Sequence, residues 1–208
     1  MYGISMPFMG WLVSRIPAQK IEERKMTAGQ WIIAFLMCYG LMYAGNLIGT
    51  ALTFGIGMVK GTGVDNPLVS TVMQLNPWVT FIIAVLIAPT AEELLFRKFL
   101  TERIVKYGEL AAVLASGLFF GLFHGNLNQF SYAFLLGLFL GFIYVKTGKL
   151  RYTIGLHMAI NFIGSSLGTW MLRVTGYMDT METLTKFLNT KDLTVLADLG
   201  NGIVGMFI

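Results

Sequence analysis

Long apolar runs, separated by short polar or basic stretches, occupy most of this 208-residue sequence. Hydrophobic residues make up 55% of the chain and charged residues only 12%, whereas a typical soluble domain is about 25% charged. One globular core cannot hide so much apolar surface, so most of it is expected to face lipid. Each crossing of the hydrocarbon layer needs roughly 20 apolar residues. We therefore predict an all-α fold, a polytopic transmembrane helical bundle of about six spanning helices with short loops, forming a single domain over residues 1–208.

Six apolar segments support this prediction, and a short amphipathic helix is expected before them within residues 1–14. The predicted spans cover about residues 30–59, 77–100, 111–124, 130–145, 152–172 and 193–208. Residues 78–172 form the core that carries the polar motifs. Glycines spaced by four residues within these segments predict close helix contacts: Gly45 and Gly49; Gly117, Gly121 and Gly125; Gly137 and Gly141.

Basic residues cluster in alternate loops of this arrangement. The net charge is +4, but the basic residues flank apolar segments, so we expect the lipid bilayer as a partner and no nucleic acid. Five crossings in strict alternation put all three clusters on one side, which the positive-inside rule assigns to the cytoplasm. The predicted location is the cell membrane, with a multi-pass topology. The clusters are Arg15, Lys20, Arg24 and Lys25; Lys98, Arg103 and Lys106; Lys146, Lys149 and Arg151.

Ionisable residues are rare inside the predicted spans. Such a residue costs roughly 3 kcal/mol on insertion scales, which makes it a candidate for function. Both histidines of the chain belong to this set, so no histidine is predicted at the water-exposed surface. The candidates, with one amide beside them, are Glu92, Glu93 and Arg97 on the second span, His124 at the end of the third, and His157 with Asn161 on the fifth.

The rise of about 1.5 Å per helical residue gives the depth of each candidate. Glu92 and His124 both lie about 21 to 23 Å from the loop that joins their helices. His157 and Asn161 lie about 9 and 15 Å beyond Arg151 on the same measure. A modest kink or tilt therefore lets four side chains line one cavity, which we expect to open to the cytoplasmic side.

Spacing along the second span separates the two glutamates. Glu93 and Arg97 are spaced i,i+4 and are predicted to form an ion pair that supports the structure. Adjacent helical residues point about 100° apart, so Glu92 is expected to face the cavity and not to share a partner with Glu93. Pro89 has no N–H, which in an α-helix leaves the carbonyl of Val85 without its partner.

The four remaining polar groups suggest a hydrolytic reaction. Glu92, paired with His124 across a water molecule, is a candidate general base. His157 and Asn161, also spaced i,i+4, can donate hydrogen bonds to a developing oxyanion. The sequence has no obvious nucleophile, so an activated water is the simplest attacking group. We expect no metal and no cofactor, and a peptide or protein substrate that enters from the membrane or the cytoplasmic side.

Three motifs in these segments resemble those of a known family. Residues 92–97 match EExxxR, residues 120–124 match FxxxH and residues 157–161 match HxxxN, in that order. They are similar to the motifs of the CPBP family, the CAAX proteases and bacteriocin-processing enzymes, also called Abi or type II CAAX prenyl endopeptidases. The resemblance implies an intramembrane glutamate endopeptidase, with Glu92 and His124 activating water and His157 and Asn161 stabilising the oxyanion. It also implies a role in peptide maturation or in bacteriocin processing or immunity.

Two alternatives remain open on the sequence alone. One glutamate and two histidines form a legitimate zinc set, although the H-E-x-x-H spacing is missing, so a zinc-dependent membrane peptidase is the rival enzyme. A non-enzymatic scaffold or transporter also places Glu and His near the midplane. Transporters usually contain two similar halves, and no such internal repeat is visible in this sequence.

Overall fold

The structure is a computed structural model that describes residues 7–8, 10–12, 14–61, 75–174, 183 and 186. The described part is helical and contains no strand, in agreement with the predicted all-α fold. Its long helices, numbered in chain order, are α1 (Ala28–Lys60), α2 (Pro77–Tyr107), α3 (Glu109–Phe123), α4 (Leu127–Thr147) and α5, which joins Leu150–Asn161, Phe162–Leu167 and Gly168–Val174.

Three of these helices are long and apolar enough to cross a membrane, namely α1, α2 and α4. The third predicted segment, α3, has 15 residues, which is shorter than the roughly 20 that a crossing needs. The sixth predicted segment, 193–208, and most of the amphipathic segment 1–14 lie outside the described residues. The total of about six spanning helices stays a prediction.

Local signals explain where α1 begins and ends. The Thr27 hydroxyl accepts from the backbone N–H of Gln30 at 3.2 Å, and the Gln30 side chain accepts from the N–H of Thr27 at 2.9 Å. This reciprocal capping box satisfies N–H groups that a helix start leaves unpaired. Gly61 ends the helix with φ of 67°, a left-handed conformation that glycine adopts without the clash of a Cβ atom.

Helix α2 departs from regular α geometry in two stretches. Phe81–Ile87 and Leu94–Thr101 are π-helical, and the short α segment Ala88–Glu93 lies between them. The N–H of Ala88 donates to the carbonyl of Ile83, five residues back. Single π turns occur frequently at functional sites, and here they flank both glutamates.

Small residues bring the helices close together, as their spacing predicted. A Cβ atom on Gly45 would lie 2.3 Å from the Cα of Tyr132, so α1 touches the backbone of α4. A Cβ on Gly137 would lie 2.9 Å from the Phe120 ring, which packs α4 against α3. Gly125 differs from the prediction, because it lies after the end of α3 with φ of 70° and nothing within 4 Å of its Cβ position. It serves a turn and not a helix contact.

Two apolar clusters hold the helices around the polar residues. The first joins α1, α4 and α5, and the second joins α2, α3 and α4. Their buried members are Ala34, Cys38, Leu136, Leu140, Ile143, Leu156 and Ile160 in the first, and Leu95, Phe96, Phe120 and Ala133 in the second.

The three basic clusters meet at one end of the bundle. The linker before α1 crosses this end, where the N–H of Gln19 donates to the carbonyl of Glu102 at 2.6 Å and the N–H of Arg24 to that of Thr147 at 2.8 Å. The ammonium of Lys149 lies 3.6 Å from the carboxylate of Glu23. The shared end that the loop charges predicted is confirmed, while its assignment to the cytoplasm stays a prediction.

Candidate active site

Two adjacent glutamates of α2 and one histidine of α5 meet in the interior. Glu92, Glu93 and His157 are all buried, with no more than 3% of any of them exposed. His157 Nδ1 lies 3.0 Å from Glu93 Oε1, and His157 Nε2 lies 3.7 Å from Glu92 Oε2. The first separation is that of a hydrogen bond, and the second is longer than a direct hydrogen bond.

This arrangement corrects the expectation that the two glutamates cannot share a partner. The expectation treated each partner as a single point, but an imidazole carries nitrogen atoms on two edges of its ring. Glu93 meets one edge of His157 and Glu92 the other. The roughly 100° between adjacent helical side chains is therefore compatible with one partner lying between them.

Glu93 also forms the predicted ion pair with Arg97. Arg97 Nε lies 3.0 Å from Glu93 Oε2, and both side chains are completely buried. Arg97 Nη1 also donates to the hydroxyl of Ser116 at 3.2 Å. Removing one partner of such a buried pair leaves an uncompensated charge, which is strongly destabilising. The pair therefore fixes the Glu93 carboxylate that contacts His157.

His124 lies at the end of α3 and is partly buried. Its Nδ1 is 2.9 Å from the carbonyl oxygen of Phe120. Because a carbonyl can only accept, Nδ1 carries the hydrogen, and in the neutral ring Nε2 keeps its lone pair. That nitrogen is the one able to take a proton.

The fully buried Phe120 ring lies among the charged and polar candidates. Its centroid is 5.0 Å from the ring of His124 and 5.5 Å from the ring of His157. The Arg97 guanidinium carbon stands 4.9 Å above the same ring. Both histidines and the structural ion pair thus pack around one side chain, which brings the three predicted motifs together.

Asn161 has a backbone partner that the sequence analysis did not foresee. Its amide nitrogen donates to the carbonyl oxygen of Ala84 at 2.9 Å. In the π register of this stretch, where Ala88 donates to Ile83, the donor for Ala84 would be the N–H of Pro89, which proline lacks. In this register the carbonyl that Pro89 leaves without a backbone donor is that of Ala84, whereas the prediction, which assumed the α register, named Val85.

Sequence reasoning missed three contributors to this site. Phe120 is part of the FxxxH motif, and its fixed position four residues before His124 was the signal that could have found it. Ser116 precedes Phe120 by one further helical turn and is fully buried. Ala84 contributes only its backbone carbonyl, and no pattern of side chains in the sequence indicates such a contribution.

Within the part of the chain that the structure describes, no group of three His, Cys, Asp or Glu side chains is placed to hold a metal ion. Among the clefts that the described residues form, two of about 400 and 310 Å³ lie near the basic end of the bundle. None of the motif residues from Glu92 to Asn161 that carry the predicted chemistry lines either cleft.

Comparison with known proteins places these residues in one family match. Residues 74–163 match the model of the type II CAAX prenyl endopeptidase Rce1-like family, which confirms the resemblance drawn from the three motifs. The matched segment contains all six predicted site residues. Neither the curated proteins nor the solved structures gave a match to this chain.

Proposed function

Because residues 74–163 match the model of the type II CAAX prenyl endopeptidase Rce1-like family, we propose that this chain is a membrane endopeptidase of the glutamate type. The observation that carries the proposal is the buried meeting of Glu92, Glu93 and His157, with His124 packed on the same phenyl ring as His157. A carboxylate and two imidazoles in one largely buried region are the groups that hydrolysis by an activated water requires.

In the proposed reaction, Glu92 removes a proton from water with His124 orienting that water through Nε2. The water oxygen attacks the carbonyl carbon of the peptide bond, and the carbonyl oxygen becomes an oxyanion. Collapse of this intermediate breaks the C–N bond, and the proton held by Glu92 passes to the leaving amine. The products are a new carboxyl terminus and a new amino terminus.

His157 and Asn161 are the proposed oxyanion donors. An amide NH₂ has two N–H groups, so Asn161 can donate one to Ala84 and the other to the oxyanion. His157 directs Nδ1 to Glu93, which leaves Nε2 on the side of Glu92. For Nε2 to donate to the oxyanion while Nδ1 donates to Glu93, the His157 ring must carry a hydrogen on both nitrogen atoms.

The substrate proposed is a membrane-associated peptide or protein, and the biological role proposed is peptide maturation, bacteriocin processing or immunity. The catalytic cavity is proposed to open towards the basic end of the bundle. Charge clustering there supports a cytoplasmic orientation through the positive-inside rule.

A cleavage assay with purified full-length protein tests the proposal. The protein in detergent is incubated with short membrane-associated peptides, and the products are identified by mass spectrometry. We expect cleavage by the unmodified protein, loss of at least about 100-fold in the His124→Ala variant, in line with removal of a general acid–base group, and no effect of chelators. Chelator inhibition that added zinc reverses would instead identify the zinc peptidase, and undiminished cleavage by His124→Ala would contradict the assigned role.

A further inference from the structure

The larger of the two clefts, about 400 Å³ in volume, lies at the basic end of the bundle. The linker before α1, the second π-helical stretch of α2 and the start of α5 surround it. Its lining includes three cationic side chains, one carboxylate and one tyrosine, namely Lys98, Lys149, Arg151, Glu23 and Tyr144, and Leu94 is one of its two leucines.

Cations outnumber carboxylates in this lining. Lys149 is the more enclosed lysine, with 14% of its side chain exposed, and its ammonium lies 3.6 Å from Glu23. That separation exceeds a good hydrogen bond, so one carboxylate at this distance does not satisfy the three N–H donors of an ammonium group. An anion entering the cleft would accept hydrogen bonds from this ammonium group.

One of the three cationic side chains, Lys98, is held by a network that reaches into the interior. The carboxylate of Glu102 accepts from Lys98 Nζ and from the Tyr144 hydroxyl, each at 2.8 Å. Tyr144 is almost fully buried and Glu102 is 6% exposed. At Gly148, which also lines the cleft, the carbonyls of residues 21 and 22 lie so close that a Cβ would be 2.8 and 2.7 Å away. The Glu102 network and the linker packed against Gly148 therefore fix two parts of this cleft within the fold.

The position of the cleft indicates the kind of anion. It lies where the three basic clusters meet, at an end of helices that are long and apolar enough to cross a bilayer. In a bundle that spans the bilayer, such an end lies at the level of the lipid headgroups. Leu94, which is 38% exposed, leads from the charged lining onto the apolar flank of α2. A ligand with a phosphate at one end and hydrocarbon at the other could place its phosphate in the charged lining and its hydrocarbon along the apolar flank of α2. Basic pockets between membrane helices bind such headgroups.

We propose that this cleft binds the phosphate headgroup of an anionic phospholipid, with Lys149 and Arg151 as its principal contacts. Binding there would fasten the linker to the start of α5, the helix that carries His157 and Asn161. The site is separate from the proposed peptidase residues and does not depend on their function.

Native mass spectrometry of the full-length protein tests this proposal. The protein in detergent is titrated with phosphatidylglycerol and, separately, with phosphatidylcholine, and the population of each lipid-bound species gives its Kd. We expect tighter binding of phosphatidylglycerol, and a Kd raised about tenfold or more in Lys149→Gln/Arg151→Gln, since each basic residue contributes to anionic lipid binding. The matched control, Lys25→Gln/Lys106→Gln, removes two exposed charges from the same end outside the cleft and should change the Kd less than threefold.

Three results would overturn the proposal. The first is equal weakening by the cleft and control variants, which would mean that only overall surface charge matters. The second is equal affinity for the two lipids. The third is competition by millimolar inorganic phosphate or by a short peptide with a free carboxyl terminus that displaces phosphatidylglycerol completely, which would identify a site for a soluble anion. Unchanged unfolding temperatures of both double variants without lipid establish that the cleft itself is intact.

Discussion

The side-chain amide of Asn161 donates a hydrogen bond of 2.9 Å to the carbonyl oxygen of Ala84, the acceptor that Pro89 cannot serve in the π register of α2. This contact ties α5 to the turn that precedes the two glutamates. It gives Asn161 a structural task in addition to the proposed oxyanion contact, and the two tasks can be separated by mutation.

Asn161→Ala should lower the free energy of unfolding by about 1–3 kcal/mol, because it leaves the Ala84 carbonyl without a donor. Pro89→Ala restores a backbone N–H that can serve this carbonyl. In the Pro89→Ala background, Asn161→Ala should therefore cost less than half as much stability, as measured by denaturant unfolding in detergent. Cleavage should stay impaired in the double variant, since the proposed oxyanion donor is still missing. An equal stability loss in both backgrounds would contradict the role assigned to Pro89.

The Glu93–Arg97 pair should behave as a buried ion pair in a double-mutant cycle. Arg97→Met alone should cost about 3–5 kcal/mol, because Glu93 is then left charged and buried without its partner. Adding Glu93→Gln should recover part of that loss. The exposed Lys146–Glu109 pair is the matched control, and Lys146→Met should cost at most about 1 kcal/mol. Additive losses from Glu93→Gln and Arg97→Met would show that the two side chains do not stabilise each other.

Phe120 should contribute more to stability and to kcat than its neighbour Phe119 on the same helix. Phe120 is fully buried, whereas Phe119 is 49% exposed. Phe120→Ala should cost about 3–5 kcal/mol through the cavity it creates. Phe120→Leu keeps most of the side-chain volume but removes the ring against which Arg97 and both histidines pack. We therefore expect a clear fall in kcat with only a small loss in the free energy of unfolding. Phe119→Leu, measured in the same unfolding and cleavage assays, should change neither quantity, and equal effects of the two leucine variants would contradict the central position of Phe120.

Because α1 packs closely against α4, substitution by alanine should destabilise the protein at one glycine of α1 and be tolerated at another. An alanine at Gly45 would place its Cβ 2.3 Å from the backbone of Tyr132, while nothing lies within 4 Å at Gly55. Gly45→Ala should therefore destabilise the protein by about 1–3 kcal/mol or more through overpacking. Gly55→Ala should be neutral or slightly stabilising, because alanine favours the helix by about 1 kcal/mol. Comparable thermal unfolding of the two variants would show that the helices are not packed this closely.

Several features of the fold and site could be predicted from the sequence because they depend on fixed local geometry. The i,i+4 spacing predicted the Glu93–Arg97 pair, and the alternation of basic loops predicted their common end. The partners of His157 and Asn161 could not be predicted in this way. They depend on how α5 packs against α2 and on the π register of α2, which shifts the orphaned carbonyl by one residue. Helical periodicity assumes the α register and carries no information on such tertiary contacts.

The central claim is that Glu92 activates the water that cleaves the peptide bond, and Glu92→Gln tests it most directly. The variant keeps the size of the side chain and removes its ability to take a proton. Substrate binding and turnover are measured on the same peptide with the unmodified protein, with Glu92→Gln and with Glu109→Gln, which alters a glutamate whose side chain is 57% exposed. The account predicts that Glu92→Gln binds the peptide within about threefold of the unmodified Kd but loses at least about 100-fold in kcat, while Glu109→Gln matches the unmodified protein. Cleavage by Glu92→Gln at the unmodified rate would contradict the account.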